Sequence, residues 1–222
     1  MNSPSVAVAG SLDAGLFRDW LRDTEAMLRG TGGADVPCGS CVGCCVSSYH
    51  IWLRPEDRVA YDEVPEEFLL RGRGQPEGHH LMGYRDDGRC PMHTAQGCRI
   101  YADRPQTCRD YDCRIFTAAG IEAGDVIKRV INERVRAWRF RYADDADRAA
   151  HLAVTAAATF IREQAEAFEG AAPTAPTGIA VLALKSHRVF LDPGAESCEA
   201  SAVAKAIIEA SRAFDADTGD HT

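Results

Sequence analysis

The chain of 222 residues has no apolar run long enough to span a bilayer, which excludes a membrane-crossing helix. Its start, MNSPSVAVAGSLDAG, holds a short apolar VAVAG with no basic residue ahead of it, so a secretory signal is not expected. Without an export signal the expected compartment is the cytoplasm, where thiols stay reduced and a disulfide framework is disfavoured. No G-x-G-x-x-G loop lies between a strand and a helix, so that fingerprint of nucleotide binding is missing. No convincing Ser–His–Asp set is present, and paired acids such as Glu66 and Glu67 read as surface charge. Positive charge is short as well: the formal net charge is −8, which argues against a dedicated nucleic-acid binder. No internal repeat stands out beyond a loose likeness between two groups of cysteines.

Those cysteines are what the chain does have. Cys38, Cys41, Cys44 and Cys45 stand in the run CGSCVGCC, and Cys90, Cys98, Cys108 and Cys113 in GRCPMHTAQGCRIYADRPQTCRDYDC. Only Cys198 lies apart, and it reads as an ordinary cysteine just before a helix. Thiolates at two-residue intervals sit on successive bends of a turn, close enough to share a metal centre. The expected compartment and the spacing together favour metal binding over structural disulfides.

The remaining sequence organises around the two groups. The expected fold class is mainly α, with helices packed around a cysteine-rich, loop and β-hairpin metal-binding domain. Four regions are expected: an N-terminal tail and helix at 1–33, the cysteine-cluster domain at 34–116, a helical region at 117–169, and a linker with a C-terminal helical region at 170–222. Leu12, Leu16, Phe17, Trp20, Leu21 and Leu28 recur at helical spacing and predict a helix from Ser11 onward. Ser47–Leu53 reads as extended, Pro55-Glu56-Asp57 as the opening of a short helix, and 71–78 as a loop. His80–Tyr84 and Arg89–Met92, flanking an Asp-Gly turn, read as a hairpin that delivers Cys90 to the site. Beyond Ala123 the pattern is helical: Val126, Ile127, Val130, Ile131, Val135 and Trp138 mark one stripe, 145–168 a second helix, and 196–214 a last one. The segment 170–178 reads as a linker, Ile179–Leu184 as a short apolar run, and the ends at 1–10 and 215–222 as tails.

The metal itself is left between two candidates. C-x2-C-x2-C is the spacing of ferredoxin-type loops and points to an iron–sulfur cluster, of the 4Fe–4S type. Zn2+ sites more often pair one C-x2-C with another, a pattern from which the second group departs. Adjacent Cys44 and Cys45 fit either two neighbouring sites or one cluster with spare thiols. Arg104 and Arg109 are placed to donate to sulfur or to neutralise charge, and Tyr101 and Tyr111 to exclude solvent. With eight thiolates at hand, His50, His79, His80 and His93 are read as surface or polar-core residues rather than ligands.

The same residues carry a family likeness. The two cysteine groups, with Cys98, Ile100, Tyr101, Arg104, Pro105, Cys108 and Arg109 in a C-x-I-Y-x-x-R-P-x-x-C-R stretch, resemble the YkgJ-like cysteine-cluster family over about 38–115. That family has the CxxCxxCC signature and is described as a zinc- or iron-chelating domain, so the resemblance implies metal binding. One branch, the flagellin lysine N-methylases, looks like it joins such a cluster to methyl transfer; residues 116–222 show no feature that matches it.

Three functions compete. The first is a metal–thiolate protein with a redox, metal-handling or structural role and a protein partner left open. The second is an iron–sulfur-dependent group-transfer enzyme with S-adenosylmethionine as donor. The third is a zinc-scaffolded nucleic-acid- or protein-binding module, supported by Lys128, Arg129, Arg134, Arg136, Arg139 and Arg141; the acids Asp144, Asp145 and Asp147 that follow weigh against nucleic acid.

Overall fold

The computed structural model describes residues 10–32, 34, 36, 38–72, 74–192, 194 and 198–217. The expected tails at 1–10 and 215–222 lie largely outside the described residues. Helix dominates, and no described helix is long and apolar enough to cross a membrane. The chain divides into two units: Met1–Gly32, Cys113–Ala123 and Arg134–Thr222 form one, and Gly33–Asp112 with Gly124–Glu133 the other.

The first unit is helical. It begins not with a helix at Ser11 but with a strand, β1 (Leu12–Leu16), followed by α1 (Phe17–Leu28). Gly15 has φ +90°, outside the helical region, and its N–H donates to Asp13 Oδ1 at 2.9 Å, so a helix cannot start here. Within α1 the buried residues are Phe17, Trp20 and Thr24, one face of a 3.6-residue period. The unit continues with α4 (Arg114–Ala119), the end of α5 (Arg129–Ala137), and β7 (Trp138–Arg141), which pairs in parallel with β1. Trp138 was expected on a helix stripe; it lies in β7 instead, where the alternation Trp138, Phe140 inward and Arg139, Arg141 outward has the period of a strand.

Helix α6 (Asp145–Glu163) starts cleanly because Asp144 accepts from the Asp147 N–H while Asp147 Oδ2 accepts from Ala143 N–H. Its inner face, Ala153, Val154, Ala157, Ala158 and Ile161, is mostly small, which lets α4 and α7 (Pro176–Ser186) approach closely. Pro176 opens α7, so the apolar run at Ile179–Leu184 is helical. The last helix, α8 (Ala200–Ala216), buries Val203, Ala204, Ile207 and Phe214. An aromatic cluster ties α1 to β7 and α6: Phe17 stacks on His151 at 4.4 Å and meets Phe140 edge-on at 5.1 Å.

The second unit holds little regular structure. Strands β2 (Ile51–Leu53), β3 (Leu69–Leu70) and β4 (His80–Met82) form an antiparallel sheet in the order β2-β4-β3. The short helix α2 (Arg58–Glu63) follows β2, β5 (His93–Thr94) and β6 (Gly97–Cys98) make a hairpin, and α3 (Gln106–Asp110) comes after it. The hairpin expected at 80–92 does not form. Met82 is buried by pairing β4 with β2 and β3, and Pro91 has no N–H to offer a ladder. The Asp-Gly turn survives as a closed loop, with Arg85 N–H donating to Arg89 O and Gly88 N–H to Arg85 O, both at 2.8 Å. Leu53, Ala60, Val64, Met82, Met92 and Ile100 make this unit's core, and Cys90 and Cys98 pack against it.

Candidate metal centre

The first cysteine group is a chain of tight turns. The Cys41 N–H donates to Cys38 O at 3.0 Å, and Gly43–Val46 form one turn of 3-10 helix. Gly43 is buried, and a Cβ on it would lie 3.2 Å from Ile131 Cγ1 and 3.4 Å from Cys41 Sγ. A side chain there would push the group off the first turns of α5. Below it, Ser47 Oγ donates to Gly43 O at 2.6 Å, and Lys128 Nζ donates to Ser47 O while standing 3.5 Å over the Tyr49 ring. The Tyr49 and Tyr111 hydroxyls meet at 3.2 Å.

Two backbone hydrogen bonds bring the second group to the first. Cys90 N–H donates to Cys45 O at 2.7 Å, and Ser48 N–H donates to Gly88 O at 2.9 Å. Cys98 enters on β6, and Cys108 on α3, whose first turn is fixed by Gln106 N–H to Asp57 Oδ1 and Thr107 Oγ1 to Trp52 O. Cys41, Cys44, Cys45, Cys90, Cys98 and Cys108 are thiols, not disulfides. Cys113 belongs to the helical unit, where it is buried and accepts the indole N–H of Trp138 at 3.3 Å.

Electrostatics shows which thiols share one environment. The Cys45 thiol hydrogen-bonds Cys44 and holds its ionisation below the usual thiol range; the same bond, with burial, pushes Cys45 up. An extended chain would send these neighbours apart, but the 3-10 turn closes them. Burial raises the thiols of Cys90, Cys98 and Cys108, and charge on Cys44 raises each further. Charge on Cys44 is thus felt at Cys45, Cys90, Cys98 and Cys108, and ionising one opposes ionising the next. Arg104 acts in the opposite sense on Cys44, Cys98 and Cys108. Its guanidinium also donates to Tyr101 O at 2.9 Å and lies 4.4 Å over that ring, while Arg109 donates to Arg104 O and Ala102 O. Tyr101 itself is exposed and walls off nothing.

The backbone also aims at sulfur. Gly43 N–H points at Cys41 Sγ at 3.4 Å, and the Met92 and Ile100 N–H groups partly offset the rise that burial imposes on Cys90 and Cys98. In each case the donor is the residue two positions after the cysteine. Such bonds favour thiolate over thiol.

Residues 37–129 match the sequence profile of the CxxCxxCC family, described as a "putative zinc- or iron-chelating domain". The match covers this segment alone, less than half of the chain. No curated protein and no solved structure matches the chain. Among the described residues, no group of three or more His, Cys, Asp or Glu side chains is placed to hold a metal ion. The donor chemistry nonetheless fits a cation. Arg104 offsets three of these thiols and Arg85 a fourth, and Cys90 and Cys98 rest on an apolar core that cannot supply counter-charge.

Cys198 lies in the helical unit, exposed, with its Sγ 3.4 Å from Gly194 O. The basic run that suggested nucleic acid is engaged internally: Arg129 pairs with Glu133, Arg136 with Glu122, Arg141 with Asp13, and Arg134 lies over Trp138.

Proposed function

We propose that the CxxCxxCC domain is a metal–thiolate centre for zinc or for iron as an iron–sulfur cluster, held by Cys38, Cys41, Cys44, Cys45, Cys90, Cys98 and Cys108. The observation that carries this reading is the joining of the two cysteine groups by the Cys90 N–H to Cys45 O bond at 2.7 Å, with the Gly43 N–H aimed at Cys41 Sγ at 3.4 Å. Protein that kept all its thiols protonated would gain little from backbone donors aimed at sulfur. Thiolates gain from them directly, because a charged acceptor strengthens the bond roughly twofold. Cys113, read from its spacing as an eighth donor, is the position whose role the serine variants below must decide.

Bound metal would supply Lewis acidity or, as a cluster, one-electron exchange. The chain's own part is to hold thiolates apart from bulk water and to offset their charge. Arg104 supplies the offset, and the turn around Gly43 sets the spacing between Cys41 and the Cys44–Cys45 pair. The role is structural, redox or metal-handling, and it does not call on the basic run of α5.

The test is purification without oxygen, followed by iron, sulfide and zinc analysis on the full chain and on each Cys→Ser variant. Iron with matching sulfide assigns a cluster and makes an S-adenosylmethionine-dependent transfer the next assay. Zinc alone assigns a scaffold. A chain with neither metal sinks the proposal.

A further inference from the structure

We propose that His93 is a ligand of this centre, donating an imidazole nitrogen beside the thiolates of Cys90 and Cys98. The inference rests on the reading of the domain as a metal–thiolate centre and adds to it a donor of another kind.

Two independent features of the backbone place His93 there. The first is a repeated turn. In Cys38-x2-Cys41 the Cys41 N–H donates to Cys38 O at 3.0 Å; in Cys90-x2-His93 the His93 N–H donates to Cys90 O at the same 3.0 Å. His93 thus holds in its turn the place that Cys41 holds in the other. A C-x2-C turn brings its first and fourth residues to one centre, and imidazole is the commonest substitute for the second thiolate in zinc sites.

The second feature is strand register. In the β5–β6 hairpin His93 faces Cys98 and Thr94 faces Gly97. The next bond outward runs from Arg99 N–H to Met92 O at 2.9 Å, which makes Met92 and Arg99 a hydrogen-bonded pair. Pairs alternate along an antiparallel ladder, so His93 and Cys98 form the non-hydrogen-bonded pair between. Such partners have Cα atoms about 4.5 Å apart, with side chains on one face and at their closest. His93 is therefore tied to Cys90 through a turn and to Cys98 across a ladder, and it is half-buried.

The other histidines near the cysteines have no comparable placement. His50 packs on Tyr84, His79 on Trp52, and His80 sits between Tyr61 and Arg71.

The experiment is X-ray absorption at the zinc edge of the full chain loaded with zinc alone, for the wild type, His93→Cys and His93→Ala. The expected wild-type shell has a nitrogen at about 2.0 Å among sulfurs at about 2.3 Å. His93→Cys is expected to keep the metal and show sulfur only. His93→Ala is expected to weaken zinc binding by at least the roughly 10–100-fold that loss of an outer partner costs. A sulfur-only shell in the wild type, or nitrogen retained in His93→Cys, overturns the inference while leaving the thiolate centre standing. Wild-type protein that binds neither zinc nor iron overturns both.

Discussion

Replacing Gly88 by alanine is expected to loosen the link between the two cysteine groups. Gly88 has φ +78°, a conformation that costs an L-residue about 1–2 kcal/mol. A Cβ there would lie 2.5 Å from Ser48 Oγ, inside contact distance. The Ser48 hydroxyl can rotate away, and its own bond to Gly88 O is weak at 3.4 Å, so the collision adds less than about 1 kcal/mol. The total is about 2 kcal/mol, borne by the loop whose bonds run from Ser48 N–H to Gly88 O and from Cys90 N–H to Cys45 O. If that loop must close to hold metal, Gly88→Ala weakens zinc affinity about 30-fold, measured by competition with a chelator. Amide exchange at Ser48 and Cys90 should quicken by a similar factor, a readout that needs no metal. Adding Ser48→Ala removes the collision but not the backbone strain, so the double variant should recover only part of the loss. Gly88→Ala with affinity and exchange within twofold of wild type would refute the reasoning.

Three further outcomes are expected. Cys41→Ser should lose metal and destabilise the protein, since a structural thiolate site can contribute on the order of 10 kcal/mol, whereas Cys198→Ser should do neither; elemental analysis and thermal melts decide both. Burial lowers the protonation constants of His151 and His187 below the ordinary 6.5, so the unfolded chain takes up protons first as pH falls. Stability of the helical unit is therefore complete above pH 6.5 and lost progressively below it, and a His151→Gln/His187→Gln variant should show a shallower acid slope in melts from pH 7.5 to 5; an unchanged slope counts against this account. Phe116 has no exposed surface, and Phe116→Ala should cost about 3–5 kcal/mol in urea unfolding, an estimate that fails if the loss is below about 1.

Helices α6 and α8 were legible because their signals are local. Apolar residues at 3.6-residue spacing are a property of neighbours in sequence. The CxxCxxCC signature and the chemistry of its thiols were legible for the same reason. Strands β1 and β7 were not, because Leu12 pairs with Trp138 across more than half the chain. A four- or five-residue segment with helical apolar spacing becomes a strand once such a partner exists. The hairpin at 80–92 failed on the same ground: β4 buries Met82 best against strands that its own turn does not supply.

Sequence alone determined the inventory: mainly helical, eight clustered cysteines, and a match to the CxxCxxCC family profile over 37–129. Tertiary structure decided which thiols share an environment, that Cys113 lies with the helical unit and Trp138, and that His93 faces Cys98. Spacing fixes which donors are near along the chain. Bonds such as Cys90 N–H to Cys45 O, and the register of a two-residue hairpin, fix which are near in space, and ligation depends on the second.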